Sequence, residues 1–373
     1  MQAVVNQRGG LRFRWLFSKT IDLSIFYLPV LLGFLAYGLL QSDFFGRAVF
    51  FSFLLFQGFG LSEFHIGTTW FHYLDRRNWH YYTESADNRR TFLIAPTAWI
   101  LATTVAQIFI PKLVFSLFLI WTIQHLVQQN VGILLLHHGD TDARVERNLE
   151  VRTQHWAAIA FSLLFVRRMV PYNHFYDVVL QVLIAASSIV AVVLVSKYVG
   201  SLRRQVREGA LLNMPALAFW LVSILFILPL AFIGKELRQA LLIPQMVHWF
   251  QYVGLNFVLV SRKYNSAKTS TELPVARPIM LFLLTGASVA IAMLLAYYVT
   301  DLHMVDGLAL NLVVGSLYGI GFAHYWQDAF IWKFREPFNR QMMLPFLRPV
   351  AIARATKDAR ASERDLVHSG STD

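Results

Sequence analysis

The sequence predicts an all-α fold: a polytopic integral membrane helix bundle of about ten transmembrane helices, with the N- and C-termini cytoplasmic. Three observations carry that prediction: the composition, a series of apolar runs of bilayer length, and a one-sided distribution of basic residues. Of 373 residues, 56% are hydrophobic, 15% aromatic and only 15% charged. A soluble chain carries nearer a quarter charged residues and has no way to hide so much apolar surface. This excludes a soluble globular enzyme, a disordered chain and a secreted disulfide scaffold. Cysteine is absent, which also excludes iron–sulfur ligation, thiolate haem, a Cys-zinc site and a catalytic cysteine.

A hydrocarbon core about 30 Å thick takes roughly 20 mainly apolar residues per helix. The first run of that kind, 23–41, follows Asp22 and stops at Ser42-Asp43; the second, 48–74, lies between Arg47 and Asp75. The third, 92–110, follows Arg89-Arg90, and the fourth, 113–137, follows Lys112 and ends in His137-His138. Runs five and six, 155–170 and 175–196, flank Pro171, and run six closes at Lys197. Runs seven and eight cover 213–233 and 239–261, runs nine and ten 278–300 and 304–332, each bounded by charges. Runs two, four, eight and ten are long and contain polar residues, whereas three, six and nine are almost wholly apolar. No internal repeat or linker divides the chain, so 1–335 is expected to form a single transmembrane domain and 336–373 a basic, partly disordered cytoplasmic tail.

Orientation follows from the basic residues. The N-terminal segment, the connections after runs two, four, six and eight, and the C-terminal tail together hold 27, while the opposite connections hold six. The alternation places both termini in the cytoplasm. It also accounts for the net charge of +11 as topology and attraction to anionic headgroups rather than nucleic-acid binding. The basic N-terminus, without a small-residue cleavage site, reads as a retained anchor, and a bacterial inner membrane is the expected location.

Strongly polar residues inside a bilayer are costly, so a cluster of them marks a functional site. Of twelve histidines, His80, His155, His174, His303 and His368 fall in connections, span ends or the tail, and His137 and His138 at a span edge. Five lie within spans: His65 and His72, His125, His248 and His324. His65 precedes Arg76 by 11 residues, His125 precedes His137 by 12, His248 precedes Arg262 by 14 and His324 precedes Lys333 by nine. At about 1.5 Å per residue, all four lie roughly 14–21 Å above the cytoplasmic ends of their helices. The faces agree as well, at about 100° per residue. His65, Thr69 and His72 share one face; His125, Gln128, Gln129 and Gly132 another; Gln245, His248, Gln251, Tyr252 and Asn256 a third; Gly321, His324, Gln327 and Asp328 a fourth. Gly132, Gly254, Gly319 and Gly321 are expected to let these helices approach. Glu63, two positions from His65, is expected to point away as a hydrogen-bonded structural acid.

Convergent imidazoles with a nearby carboxylate make a site for Fe, Cu, Zn or Mn. The alternative for such a layer is a polar network that only joins helices. Among metals, iron is the expected one: a transition metal buried among 31 Phe, 14 Tyr and 10 Trp suits oxygen chemistry on a lipophilic substrate arriving from the bilayer. Zinc hydrolysis would need a water path and a general base, for which only Asp328 offers itself. One histidine per helix fits a mononuclear non-haem site. His65, His72, His125, His248 and His324 are thus the candidate metal residues, with His72 and Asp328 as further ligands or supporting groups. Gln128, Gln129, Gln251 and Tyr252 are the candidates for orienting dioxygen or substrate. An external electron donor is a possible partner.

Two stretches, Ser62-Glu63-Phe64-His65-Ile66-Gly67 and Ala323-His324-Tyr325-Trp326-Gln327-Asp328-Ala329-Phe330-Ile331, resemble the His-Phe-Gly helix and the terminal His…Asp helix of the Brp/Blh family of membrane β-carotene dioxygenases. The resemblance covers about 15 residues and implies iron-ligand roles for His65 and His324. The chain departs from that family in lacking its first-span histidine motif and in offering His248-Trp249-Phe250-Gln251-Tyr252 where the family tends to have two nearby histidines. Two other classes stand beside the oxygenase expectation: a b-type haem electron carrier with facing axial histidines, and a transporter whose polar stripes line a path.

Overall fold

The computed structural model describes residues 10–41, 61–138, 147–169, 174–228, 237–265, 273, 277–301 and 305–347. Among these the chain is almost entirely helical. Helix α1 (residues 19–41) begins at a Ser18 cap and contains a π turn, Leu23–Tyr27. Helix α2 (Ser62–Trp70) tightens into a 3-10 turn at Phe71–Leu74. Next come α3 (Arg76–Glu84), α4 (Ala86–Phe109), α5 (Pro111–His138), α6 (Arg147–Met169) and α7 (His174–Arg207). The remainder are α8 (Met214–Leu225), α9 (Leu237–Lys263), α10 (Pro278–Asp301), α11 (Gly307–Ile331) and α12 (Pro337–Leu347). A helix lies on the described part of each of the ten apolar runs; positions 48–60 of the second and 229–233 of the seventh lie outside the described residues.

Among the described residues five helices are long and apolar enough to cross a membrane: Ala86–Phe109, Pro111–His138, Asp177–Arg207, Pro278–Thr300 and Gly307–Ile331. Their outer faces are those of a multi-pass membrane protein. On α7, Val182, Ile189 and Val192 are more than 60% exposed, and on α10 Ile291 and Leu295 are about as exposed. In water an apolar surface this continuous would drive association; against lipid tails it costs nothing.

With lipid outside, helices gain little by hiding apolar area from one another, so close contact has to come from small residues. The most extensive pairing, α4 with α11, shows this. A Cβ on Gly315 would lie 2.8 Å from Thr104 Cα and one on Gly319 2.7 Å from Ile100 Cα, so the backbones touch where side chains would stand. Helices α2 and α10 meet in the same way at Gly67 and Gly286. Gly254 and Gly321 also face close neighbours, Ile25 and Phe118, whereas Gly132 faces open space and is not a packing glycine.

Three features were not evident from hydropathy. The connection after run two is helical: Asp75 caps α3, accepting from the backbone N–H groups of Arg77 and Asn78 at 2.9 and 3.2 Å. Two three-residue strands, β1 (Gly10–Arg12) and β2 (Leu211–Asn213), pair in parallel, and Asn213 reinforces the pairing by bonding both the N–H and the carbonyl of Arg14. The first part of the basic tail is α12, which buries Asn339, Met343 and Leu347 against the bundle; Arg262 at the end of α9 donates to the Phe346 carbonyl.

Candidate metal centre

Four helices, α2, α5, α9 and α11, each bring one histidine to a common point. The ring centroids form a closed circuit: His65 to His248 5.1 Å, His248 to His125 4.8 Å, His125 to His324 5.1 Å, and His324 to His65 4.8 Å. All four rings are at least 95% buried. Buried polar atoms are almost always hydrogen-bonded, yet Nε2 of His65, His125, His248 and His324 has no hydrogen-bond partner, and neither does Nδ1 of His248. Four nitrogens on four helices, buried, convergent and without a hydrogen-bond partner in the protein, are the donor set of a metal ligand group.

The spacing fits one metal ion. With a metal–nitrogen bond of about 2.0–2.1 Å, each centroid sits about 3.2 Å from the ion, so neighbouring rings would be about 4.5 Å apart at right angles and about 5.2 Å apart at the tetrahedral angle. The observed 4.8–5.1 Å lies between the two. His65, His248 and His324 can bring one ligand atom each within 4.8 Å of one another, as can His125, His324 and Asp328.

The opposite sides of two rings are held. His65 Nδ1 contacts the Ser62 carbonyl one turn back along α2, an acceptor that places the ring proton on Nδ1 and leaves the Nε2 lone pair free. His324 Nδ1 is 2.8 Å from Thr69 Oγ1. Asp328, one turn after His324 on α11, accepts from the Tyr252 hydroxyl at 2.6 Å and from Thr69 at 3.2 Å. With its hydroxyl proton given to Asp328, Thr69 accepts from His324 Nδ1–H, which again bares Nε2. The other oxygen, Asp328 Oδ2, lies 3.7 Å from Nε2 of both His125 and His324. Tyr325 stacks on His125 at 4.5 Å and is itself fixed by a 2.8 Å hydrogen bond with Thr122.

Beside the rings opens a cavity of about 560 Å³, lined among others by Glu63, His65, His125, His248, Trp249 and Met293, with Tyr297 and Tyr298 also on its wall. Its presence corrects the expectation for Glu63. A helical wheel sets Glu63 about 200° from His65, but a cavity bounded by several helices subtends a wide angle, and both residues line it. Glu63 is 6% exposed; its carboxyl is hydrogen-bonded by Ser62 as expected, but Oε2 has no hydrogen-bond partner, so the acid is only half satisfied.

The other expected residues divide. Tyr252 joins the site through Asp328. Gln129 donates to the His248 carbonyl at 3.3 Å and so touches the backbone of the site. Gln251 is buried but reaches the Phe26 carbonyl in the π turn of α1, and Gln128 is exposed; neither lines the cavity. His72 is not brought to the centre. It sits in the 3-10 turn, about 10 Å of helix rise beyond His65, and its Nε2 is 3.1 Å from Asn256 Oδ1. His137 and His138 are buried at the end of α5, with His138 Nε2 2.7 Å from Glu150 Oε2 in a contact to α6. His80 is exposed on α3, and His303 and His368 lie outside the described residues. Comparison with protein-family models, curated proteins and solved structures returned no match.

Proposed function

We propose that this chain crosses the bilayer ten times, with both termini cytoplasmic, and is a metal-dependent membrane oxidoreductase: a mononuclear non-haem iron oxygenase acting on a lipophilic substrate such as a carotenoid, an isoprenoid or a lipid chain. The observation that carries the reading is the circuit of four buried imidazoles whose Nε2 atoms have no hydrogen-bond partner. His65, His125, His248 and His324 would hold the ion, with Asp328 beside it. Iron bound there supplies dioxygen activation. The chain supplies the rest: Ser62 and Thr69 fix the tautomers of two ligands, Tyr252 holds the Asp328 carboxylate, and Trp249, Met293 and Tyr325 keep water from the reacting side. Centroid spacings near 5 Å leave no flat slot for a porphyrin, which favours a single ion over haem b. An electron donor on the cytoplasmic side is needed only if the reaction is a monooxygenation.

Metal analysis of the purified protein tests the proposal. Near one equivalent of iron is expected, with no Soret band and with loss of the metal in a His125→Ala, His248→Ala double variant. Less than about 0.2 equivalents of any transition metal, unchanged by the double substitution, overturns it.

A further inference from the structure

The cavity beside the rings has an order along the helix axes. Glu63 precedes His65 by two residues, about 3 Å of helix rise. Met293 is buried with Ile66 and Leu317 in one apolar cluster. One helical turn further along α10, Tyr297 and Tyr298 line the same cavity while being 39% and 60% exposed. Their neighbours on the outer face of α10, Ile291 and Leu295, are exposed apolar residues. The two tyrosines thus form a mouth near the end of α10, beside an apolar outer face of the kind that lies against lipid, where a ligand drawn from the bilayer would enter. Its volume of about 560 Å³ falls among those of small-molecule sites, roughly 300–1,000 Å³.

A purely hydrocarbon ligand would bury the unpartnered Oε2 of Glu63 against methylene groups, leaving a carboxyl oxygen desolvated without compensation. A hydroxyl group removes that penalty in either protonation state of the acid, because it both donates and accepts. We propose that the cavity takes a lipophilic alcohol head first, with the hydroxyl hydrogen-bonded to Glu63 beside the four histidines and the apolar tail running past Met293 to the mouth at Tyr297 and Tyr298. This deepens the reading of the site as one that acts on a bilayer-borne substrate and rests on it for the role of the cavity. It assigns Glu63 to substrate recognition and places the hydroxylated end of the chain nearest the metal.

The test reads binding, not turnover, so it is separable from the metal assay. Full-length protein in lipid nanodiscs, with and without chelator treatment, is photolabelled with a dodecanol that carries a diazirine in its tail. Crosslinks are expected at Met293, Leu294 and Leu317, and unlabelled dodecanol should compete at least about tenfold better than tetradecane, which can neither donate nor accept, the margin set by a hydrogen bond to a carboxyl group. Glu63→Gln, which keeps an acceptor, should retain most of that preference, and Glu63→Leu should bring it to about unity. The proposal is overturned by equal competition in the unsubstituted protein, by an undiminished preference in Glu63→Leu, by stronger competition from dodecylammonium, or by crosslinks confined to the lipid-facing surface. Because the preference is read in chelated protein too, a chain that carries no metal would still show or lack it.

Discussion

Helices α2 and α9 meet twice, and the two meetings treat the same kinds of side chain in opposite ways. At the level of His65 and His248, four imidazoles leave their Nε2 atoms open. Two turns further along α2, His72, Asn78, Asp75, Asn256, Lys263 and Tyr264 form a second polar network. His72 bonds Asn256, Asn78 bonds the His72 carbonyl at 3.0 Å, Lys263 Nζ lies 2.7 Å from Asp75 Oδ2, and the Tyr264 hydroxyl donates to that same oxygen. None of these residues has a buried side-chain atom without a partner. A network that joins helices satisfies its own donors and acceptors, while a site for something else leaves them converging and unsatisfied. His65 and His72, seven residues apart on one predicted face, are thus a ligand candidate and a structural residue respectively.

The sharpest way to break this contrast is to remove each histidine in turn. If the site holds a metal as proposed, His65→Ala should lower its affinity by roughly a hundredfold or more, since loss of even a supporting partner costs about 10–100-fold, whereas His72→Ala should keep the metal content of the folded protein while lowering its thermal stability; metal analysis beside a melting curve in detergent reads both. If the two variants lose metal equally, the contrast fails. Next comes Thr69→Val, which keeps shape but removes the hydroxyl that bonds His324 and Asp328 and lies 2.7 Å from the Tyr252 hydroxyl. Loss of a ligand's supporting hydrogen bond typically costs about 10–100-fold in metal affinity, measurable by competition with a chelator of known strength.

In the second network the expected effects fall on stability. Asp75→Ala takes the carboxylate away from the buried Lys263 ammonium, and breaking a buried pair from one side costs about 3–5 kcal/mol; chemical denaturation should show this with the metal content of the folded fraction unchanged. Burial alone would raise the Asp75 carboxyl, but the Lys263 charge, the Tyr264 hydroxyl and the Asn78 N–H outweigh it and hold it below the usual carboxylate range. A depressed folded-state value stabilises the fold above the unfolded value, about 3.9, and that stability is lost as pH falls through the folded one. Stability should therefore hold from neutrality down to about pH 4 and fall below it, and in Asp75→Asn that acid limb should flatten. The smallest effect belongs to Gln128→Ala. Exposed and away from the cavity, it should leave metal content and stability within about 0.5 kcal/mol of the original.

Much of this was legible in the sequence because helices translate position into geometry in a simple way. Rise per residue put four histidines at one depth, and the 100° step put Asp328 under His324 and Thr69 under His65. Legibility failed where a shared face was read without its depth or where the property is collective. His72 shares the predicted face of His65 but lies seven residues on, about 10 Å of helix rise away, and so outside the layer. The cavity that reaches Glu63 is made by gaps among several helices, which no single wheel records. Three-residue strands such as Gly10–Arg12 are too short to show an alternation at all.

That strand pair also bears on how the chain threads the membrane. Open β edges are satisfied only outside the hydrocarbon, so Gly10–Arg12 and Leu211–Asn213, hydrogen-bonded to one another, stand on the same side. Any path between them then crosses the bilayer an even number of times. The six apolar runs expected from the sequence between 23 and 196 are an even number, whereas five or seven crossings there would set the two strands on opposite faces of the membrane. A contact of three residues on each side thus acts as a checksum on the topology of half the chain.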